Sequence, residues 1–421
     1  MAKGEYYDGY GSRNAPKERR GFLLWLLDSV MAVCSVIALV LLVIVWLVPR
    51  IHPAYMWALP MLGLIAPGIY LSTVILALYW VVRWRLKRAL VLGIPVLIGL
   101  FSVSLFWRSS SHRYELLYQQ LEQVEHDLPI VQADTTLEEK VKNDQLYRLR
   151  RRRNVLRSNL YPKNSVKILS YNLRSFYGDD WESSADGVAA LIDSLAPDIV
   201  CLQEFTMGLA ERSERFQKML KRYRQASFGL DAATARPQMI LTTHKMINSG
   251  VILTPRSSVW ADILLGQDTV RVISTHLHST GITALDNDYI TGYAYLSDTA
   301  REAKIRSIMN RFSENTILRA DQVDSIRHHL DSLAPRLRII CGDFNDTPIS
   351  YTYREMARNM QDAFSACGSG YSYTFRGFFN MLRIDYVLLP ESFEAINYEV
   401  PEVNWSDHLP VFVRFQKQKL L

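Results

Sequence analysis

The sequence predicts an α/β (α+β) domain of enzyme size carried behind a membrane-spanning segment. Three observations lead there. Long apolar runs fill most of the first 107 of 421 residues. From about Ser165 onward, short β-branched runs alternate with amphipathic stretches. Most of those β-type runs are bounded by a carboxylate, an amide or an imidazole.

The chain has room for two domains of ordinary size and a substantial core. Its formal net charge of +6 admits anionic surfaces or substrates as partners. Many basic residues flank apolar runs, which reads as membrane topology before nucleic acid. The four cysteines, Cys34, Cys201, Cys341 and Cys367, show no CxxC spacing. They read as small buried hydrophobes and say little about redox compartment.

Residues 1–107 predict a membrane domain with three transmembrane helices. The first run, "SVMAVCSVIALVLLVIVWLV" (29–48), has the length a bilayer requires. The second covers roughly 55–82 and the third roughly 89–107. Pro60, Pro67 and Pro95 would disturb soluble helices but are tolerated among membrane helices. Trp46, Trp57, Trp80, Trp84 and Trp107 sit near the run ends, as interfacial aromatics do. The length of the first run, and the two that follow, argue against a cleaved signal peptide.

Flanking cations set the expected orientation. Lys3, Arg13, Lys17, Arg19 and Arg20 precede the first run, and Arg83, Arg85, Lys87 and Arg88 separate the second from the third. The loop between the first two offers only Arg50 and His52. The N-terminus and second loop are therefore expected in the cytoplasm, and everything after Trp107 outside it, with Arg108 and Arg113 running against the trend. Asp28, at the edge of the first run, is expected at the interface.

Residues 108–164 predict a helical linker. Tyr114, Leu117, Leu121, Val124 and Leu128 form one apolar stripe. "DLPIVQAD" is expected to end that helix, and a capping box of Thr135 with Glu138 to start a second. The second helix carries the basic run "RLRRRRNVLR" (148–157), suited to anionic headgroups or solvent. The pair reads as a two-helix stalk.

The third unit, 165–421, supplies the chemistry. Its expected strands are "VKILSY" (166–171), "DIVCLQ" (198–203), "SGVILT" (249–254), "TVRVISTH" (269–276), "LRIICGD" (337–343), "IDYVLL" (384–389) and "LPVFVRF" (409–415). Helical patterns such as "DGVAALIDSL" and "RADQVDSIRHHLDSL" lie between them. Asn172 and Glu204 follow the first two strands, His276 ends the fourth, and Asp343, Asn345 and Asp346 close the fifth. Asp385 opens the sixth, and Ser406, Asp407 and His408 precede the last. A single polar residue at a strand end is usually a turn former or a cap. Six strand ends behaving alike indicate a shared cleft above a sheet.

The residue types narrow the chemistry. Glu204, Asp343 and Asp407 offer hard oxygen ligands that suit Mg²⁺ or Mn²⁺ rather than zinc. His276 and His408 can donate to a phosphate or hold protons, and Asn172 and Asn345 can position a ligand without adding charge. The set describes metal-assisted hydrolysis of a phosphate ester. There is no nucleotide-binding G-x-x-x-x-G-K-[ST] loop and no G-x-S-x-G elbow, so no nucleotide cofactor or serine nucleophile is expected.

In this order, "SYN", "LQE", "STHL", "GDFND", "IDYVL" and "SDHLPV" resemble the endonuclease/exonuclease/phosphatase superfamily. That group includes pancreatic deoxyribonuclease, exonuclease III-like nucleases, neutral sphingomyelinases and inositol polyphosphate 5-phosphatases. The resemblance spans about 166–415 and leaves out the apolar runs. It implies a four-layer sandwich of two packed mixed sheets flanked by helices.

The resemblance also implies roles. Glu204 would bind the metal, with Asp407 completing the carboxylate set and Asn172 beside the metal or phosphate. Asp343 would orient or deprotonate the attacking water, helped by Asn345. Asp385 would fix His408, which contacts phosphoryl oxygens as acid or base, and His276 would stabilise the transition state. Which of Asp343 and His408 is the base stays open. Asp346 and His278 are expected to support. Ser274 stands where members often have Asn, at a supporting position. Expected partners are the lipid bilayer and a phosphate-ester substrate: nucleic acid, phospholipid or inositol phosphate. A phosphomonoesterase and a catalytically inactive membrane-tethered binding module are the other readings. The aromatic stretch "YSYTFRGFFNMLR" (371–383) could stack on bases, touch acyl chains or simply pack as a loop, and the segment 286–315 is expected to shape the substrate cleft.

Overall fold

The computed structural model describes residues 21–109, 112–162, 164–178, 183–223, 225–230, 237–252, 258–282, 286, 298–332, 337–377 and 380–418. Among them the strands in chain order begin with β1 (Trp107–Arg108), β2 (Val166–Asn172), β3 (Ile199–Gln203), β4 (Gln225–Leu230), β5 (Pro237–Thr242), β6 (Met246–Ile252) and β7 (Ser258–Leu265). There follow β8 (Asp268–His276), β9 (Leu337–Asp343), β10 (Gln361–Asp362), β11 (Gly370–Tyr371), β12 (Asp385–Leu389), β13 (Phe393–Glu399) and β14 (Val411–Lys417).

Two six-stranded mixed sheets result, in the orders β13-β14-β2-β3-β5-β4 and β10-β12-β9-β8-β7-β6. The pairs β2–β3 and β8–β9 are parallel. Their facing sides bury Ile168, Cys201, Ile240, Val272, Ile339, Cys341 and Val413 in one apolar layer. The near-continuous apolar runs of β3 and β9 follow from this, because a strand covered on both faces has no solvent side to alternate toward. Helices Ala185–Leu195 and Glu214–Leu220 cover the outer face of the first sheet through Val188, Ile192, Phe216 and Met219. The long helix Asp298–Asp331 covers the outer face of the second through Val323, Ile326 and Leu330. The four layers are the architecture that the motifs imply.

Several strands lacked a clear pattern in the sequence. β5 begins at Pro237, where a missing N–H is tolerated at a strand start. β7 carries Asp262 mid-run, which looks like a breaker. It is neutralised by Arg271 of β8 at 2.8 Å, both side chains being buried. The helix Asp298–Asp331 begins well before the stretch that reads as helical. Much of the segment expected to shape the cleft is therefore helix, and residues 287–297 lie outside the described ones.

The N-terminal region departs from expectation in span count. By length and composition, one helix among the described residues is long and apolar enough to cross a membrane, Phe22–Arg50, where three spans are expected. The second apolar run is split into helices Leu59–Leu64 and Ala66–Val82, with Pro67 in the first turn of the latter. The third is split into Leu86–Ile98 and Leu100–Val103 at Gly99, after Pro95 has already removed a helical N–H. The cations Lys3, Arg13, Lys17, Arg19 and Arg20 lie outside the described residues. Asp28 pairs with Arg83 at 2.9 Å, tying the start of the first helix to the end of Ala66–Val82.

These helices dock on the sandwich. Val48, Leu59 and Ala66 share a core with Phe344, Ile349 and Tyr353. β1 pairs with β11, and the buried Arg383 donates to the Leu105 carbonyl at 2.9 Å. The linker forms an antiparallel hairpin of helices His112–Ala133 and Glu139–Leu160, closed by Leu121, Val124, Leu128, Leu146 and Leu156. Its first helix runs through Pro129 instead of ending at "DLPIVQAD". The expected capping box does not form: the second helix starts at Glu139 with no side-chain cap, and Asp134 accepts from Thr136 instead.

Candidate active site

β8, β9 and β12 deliver three of the expected residues in one row. The register sets His276 beside Asp343 in the parallel pair and Asp385 beside Asp343 in the antiparallel pair. Gly342 makes the row possible. Its φ is 129°, and a Cβ there would fall 1.9 Å from the Thr275 carbonyl oxygen. From the first sheet come Asn172, paired with Gln203, and then Glu204. Glu204 and Asn345 both sit at positive φ, 49° and 52°, a conformation that non-glycine residues adopt at a cost and that collects at functional sites.

Asp343 is the hub. Its Oδ1 accepts the Asn345 backbone N–H at 2.8 Å, and its Oδ2 accepts Asn172 Nδ2 and Asn345 Nδ2, both at 3.0 Å. Two imidazoles flank it: His408 Nε2 lies 3.7 Å and His276 Nε2 3.8 Å from the same Oδ2. On its far side His408 Nδ1 meets Asp385 Oδ2 at 3.0 Å. The loop bearing His408 is pinned by Ser406, whose Oγ donates to the Asn172 carbonyl at 2.8 Å and accepts the His408 N–H at 3.2 Å.

Burial pushes the Asp343 carboxyl above its ordinary range, against the pull of His408, and the Asp385 charge adds to the rise. Burial alone would push the His408 imidazole down. Asp385 and Asp343 overcome it and hold the ring protonated well above the usual histidine range. Asp343, Asp385 and His408 could each present a ligand atom within 4.8 Å of one another. Glu204 and Asp407 are two further carboxylates, and they line the cleft beside Asp343. Glu204 Oε1 lies 3.5 Å from His276 Nε2, and Asp407 Oδ2 lies 3.5 Å from Arg174 Nε.

All eight expected residues meet here, six of them directly on a cleft of about 160 Å³. Asn172 and Asp385 stand behind Asp343 and His408. Asn172 uses both ends of its amide, since its Oδ1 also accepts the Arg174 N–H at 3.1 Å. Asp346 also lines the cleft, where it pairs with the fully buried Arg319 at 3.2 Å. His278 offers its backbone, donating to Gln322 and accepting from Arg319. Ser274 accepts from Gln203 Nε2 at 2.9 Å, so the departure from the family pattern keeps a buried partner. Of the aromatic stretch, Phe375 lies against the His408 ring with centroids 5.1 Å apart, and residues 378–379 lie outside the described ones.

Sequence reasoning missed two participants. Leu64, from the short N-terminal helix, lines the cleft, and the preceding Gly63 carbonyl accepts from Thr347 Oγ1 at 3.3 Å. Gly63 is required by proximity, because a Cβ would lie 2.3 Å from the Ile349 carbonyl oxygen. Nothing local to either residue signals a partner so distant in the chain. Arg319 was equally hidden, as a cation inside an amphipathic pattern.

The model of the endonuclease/exonuclease/phosphatase family matches residues 169–408, and one described as a domain of unknown function matches residues 28–106. A search of curated proteins found no match. Similar solved structures include a humanized D. rerio TDP2, at 16% identity and TM-score 0.42, covering 61% of this chain and 100% of that one. The human Nocturnin catalytic domain with bound sulfate shares 17% identity at TM-score 0.43, covering 61% and 96%. An endonuclease/exonuclease/phosphatase from Bacteroides vulgatus shares 17% at TM-score 0.43, covering 60% and 99%. The family match covers more than half of the chain and encloses every residue of the cleft row, from Asn172 to His408. The chain therefore belongs to the endonuclease/exonuclease/phosphatase family.

Proposed function

We propose that the chain is a membrane-anchored, Mg²⁺- or Mn²⁺-dependent hydrolase of phosphodiesters. The observation that carries this reading is the buried Asp343–His408–Asp385 relay beside the open carboxylates Glu204 and Asp407. Glu204 and Asp407 would hold the divalent cation, an all-oxygen donor set of the kind hard cations prefer. When bound, that ion would neutralise phosphoryl charge.

The protein's own groups do the rest. Asp343 keeps its proton affinity through burial and is aimed by Asn172 and Asn345, so it takes the proton from the attacking water. Asp385 and Asp343 favour the protonated form of His408, which suits it to the role of acid rather than base. It donates from Nε2 to a phosphoryl oxygen as negative charge develops. His276, 3.5 Å from Glu204, also lines the cleft and offers a second donor. Asn172 is assigned to orienting Asp343 rather than to the metal.

The membrane reading rests on the helix Phe22–Arg50, with helices Ala66–Val82 and Leu86–Ile98 packed beside it as shorter companions. The sandwich docks at the end bearing Val48 and Leu59, opposite the basic connection Arg83–Arg88. That arrangement supports an extracytoplasmic catalytic domain under the positive-inside rule. The test is turnover by the full chain in mild detergent against duplex DNA, single-stranded DNA, RNA, sphingomyelin and inositol phosphates. Metal-dependent cleavage of one class, abolished by Asp343→Ala, supports the reading and names the substrate. Silence of folded, metal-loaded protein on every substrate would overturn it.

A further inference from the structure

A second cavity, of about 680 Å³, lies where the N-terminal helices meet the sandwich, away from the catalytic row. Arg50, from the turn after the long apolar helix, Arg108 of β1 and Arg354 of helix Tyr351–Met356 all line it. Of its two carboxylates Asp362 pairs with Arg383 at 2.8 Å and Glu394 accepts from the neutral Gln416 Nε2 at 3.0 Å, while Arg354 lies 3.4 Å from Glu355. With Asp362 and Arg354 paired, Arg50 and Arg108 outweigh Glu394 and leave the lining cationic on balance.

A ligand that offers anionic oxygens suits these arginines. Arginine is well suited to the anionic part, because its planar fork matches phosphate oxygens.

A neighbouring groove of about 370 Å³ shares Arg50, Ser102 and Ile349 with this cavity and continues between the apolar helices past Val45, Leu47 and Ile98. A polar chamber opening onto an apolar channel is the shape of an amphiphile. If the helix Phe22–Leu47 crosses the bilayer, Arg50 follows its end and falls at headgroup level.

We propose that this cavity binds a phospholipid of the surrounding bilayer as a resident structural ligand. Its phosphate sits among Arg50, Arg108 and Arg354, and an acyl chain lies in the groove beside Leu47 and Ile98. The proposal rests on the reading of the N-terminal helix as a membrane anchor.

The test uses the full chain extracted from membranes in mild detergent. Retained phospholipid is measured by native mass spectrometry, and re-binding after delipidation by titration with phosphatidylglycerol and phosphatidylethanolamine nanodiscs. We expect about one retained phospholipid per chain, and re-binding at least about tenfold weaker in the Arg50→Gln/Arg108→Gln double variant. Ser365→Leu, which fills the chamber from the other wall, should abolish retention while the melting temperature and Asp343-dependent turnover persist. Equal retention in wild type and both variants would overturn the proposal, as would displacement of the lipid by millimolar inorganic phosphate. Carbonate extraction separates the two readings. A chain that leaves the membrane loses its anchor and the proposal with it. One that stays but retains no lipid loses the proposal alone.

Discussion

Replacing Asp385 with asparagine removes one charge from the centre and little else. Asp385 is buried, its Oδ2 lies 3.0 Å from His408 Nδ1, and asparagine preserves shape and an acceptor oxygen. A hydrogen bond to a charged group contributes about 1.5–3 kcal/mol and a neutral one about 0.5–1.5 kcal/mol. The variant therefore loses about 1–2 kcal/mol of imidazolium stabilisation, roughly 5- to 30-fold in kcat/KM. The sign with pH follows from the raised His408 pKa. The active form is the imidazolium, so activity is present below the folded-state pKa and lost as pH rises through it. Removing Asp385 lowers that pKa, and the alkaline limb must move to lower pH. Stability follows the same sign: the pair's contribution is complete below the unfolded histidine pKa and disappears as pH rises through the folded one. The assay is kcat/KM for bis(p-nitrophenyl) phosphate against pH, with saturating Mg²⁺ for both proteins and a melting curve to verify folding. An alkaline limb that stays in place, or moves upward, would refute the reasoning.

Other sites give sharp outcomes. Glu204→Gln should weaken Mn²⁺ binding by roughly tenfold or more in a calorimetric titration, the scale seen even for residues behind a ligand; unchanged affinity would move the metal elsewhere. Gly63→Val places atoms against the Ile349 carbonyl and strains the Thr347 hydrogen bond. It should cost about 2–4 kcal/mol in denaturant unfolding and raise KM while leaving metal affinity unchanged. Arg319→Met strands the buried Asp346 carboxylate, and breaking such a pair costs about 3–5 kcal/mol; adding Asp346→Leu should recover most of it. Failure of the double variant to recover would show that Asp346 acts beyond its pairing.

The convergence of the cleft residues was legible in the sequence because its signal is local. Each polar residue closes or precedes a strand whose apolar pattern is unambiguous, as Asp343 does after "LRIIC". β4 and β13 were not legible, since their composition is mixed and only pairing with β5 and β14 makes them strands. The span count failed for a related reason. Hydropathy marks an apolar run, but Pro67 and Gly99 decide where the helix within it begins or stops. The identity of the base was also beyond sequence. It depends on which of two buried groups wins a proton, and the pattern of the strands that carry them says nothing of that. Leu64 could not be read at all, because its place on the cleft comes from tertiary docking.

The most direct measurement is hydrolysis of bis(p-nitrophenyl) phosphate by the detergent-solubilised full chain, stripped of metal by EDTA and then titrated with Mg²⁺ or Mn²⁺. The account predicts no turnover by the stripped protein, saturable recovery on adding either ion, and no recovery in Asp343→Ala. Turnover that survives chelation, or that Asp343→Ala leaves intact, would contradict it.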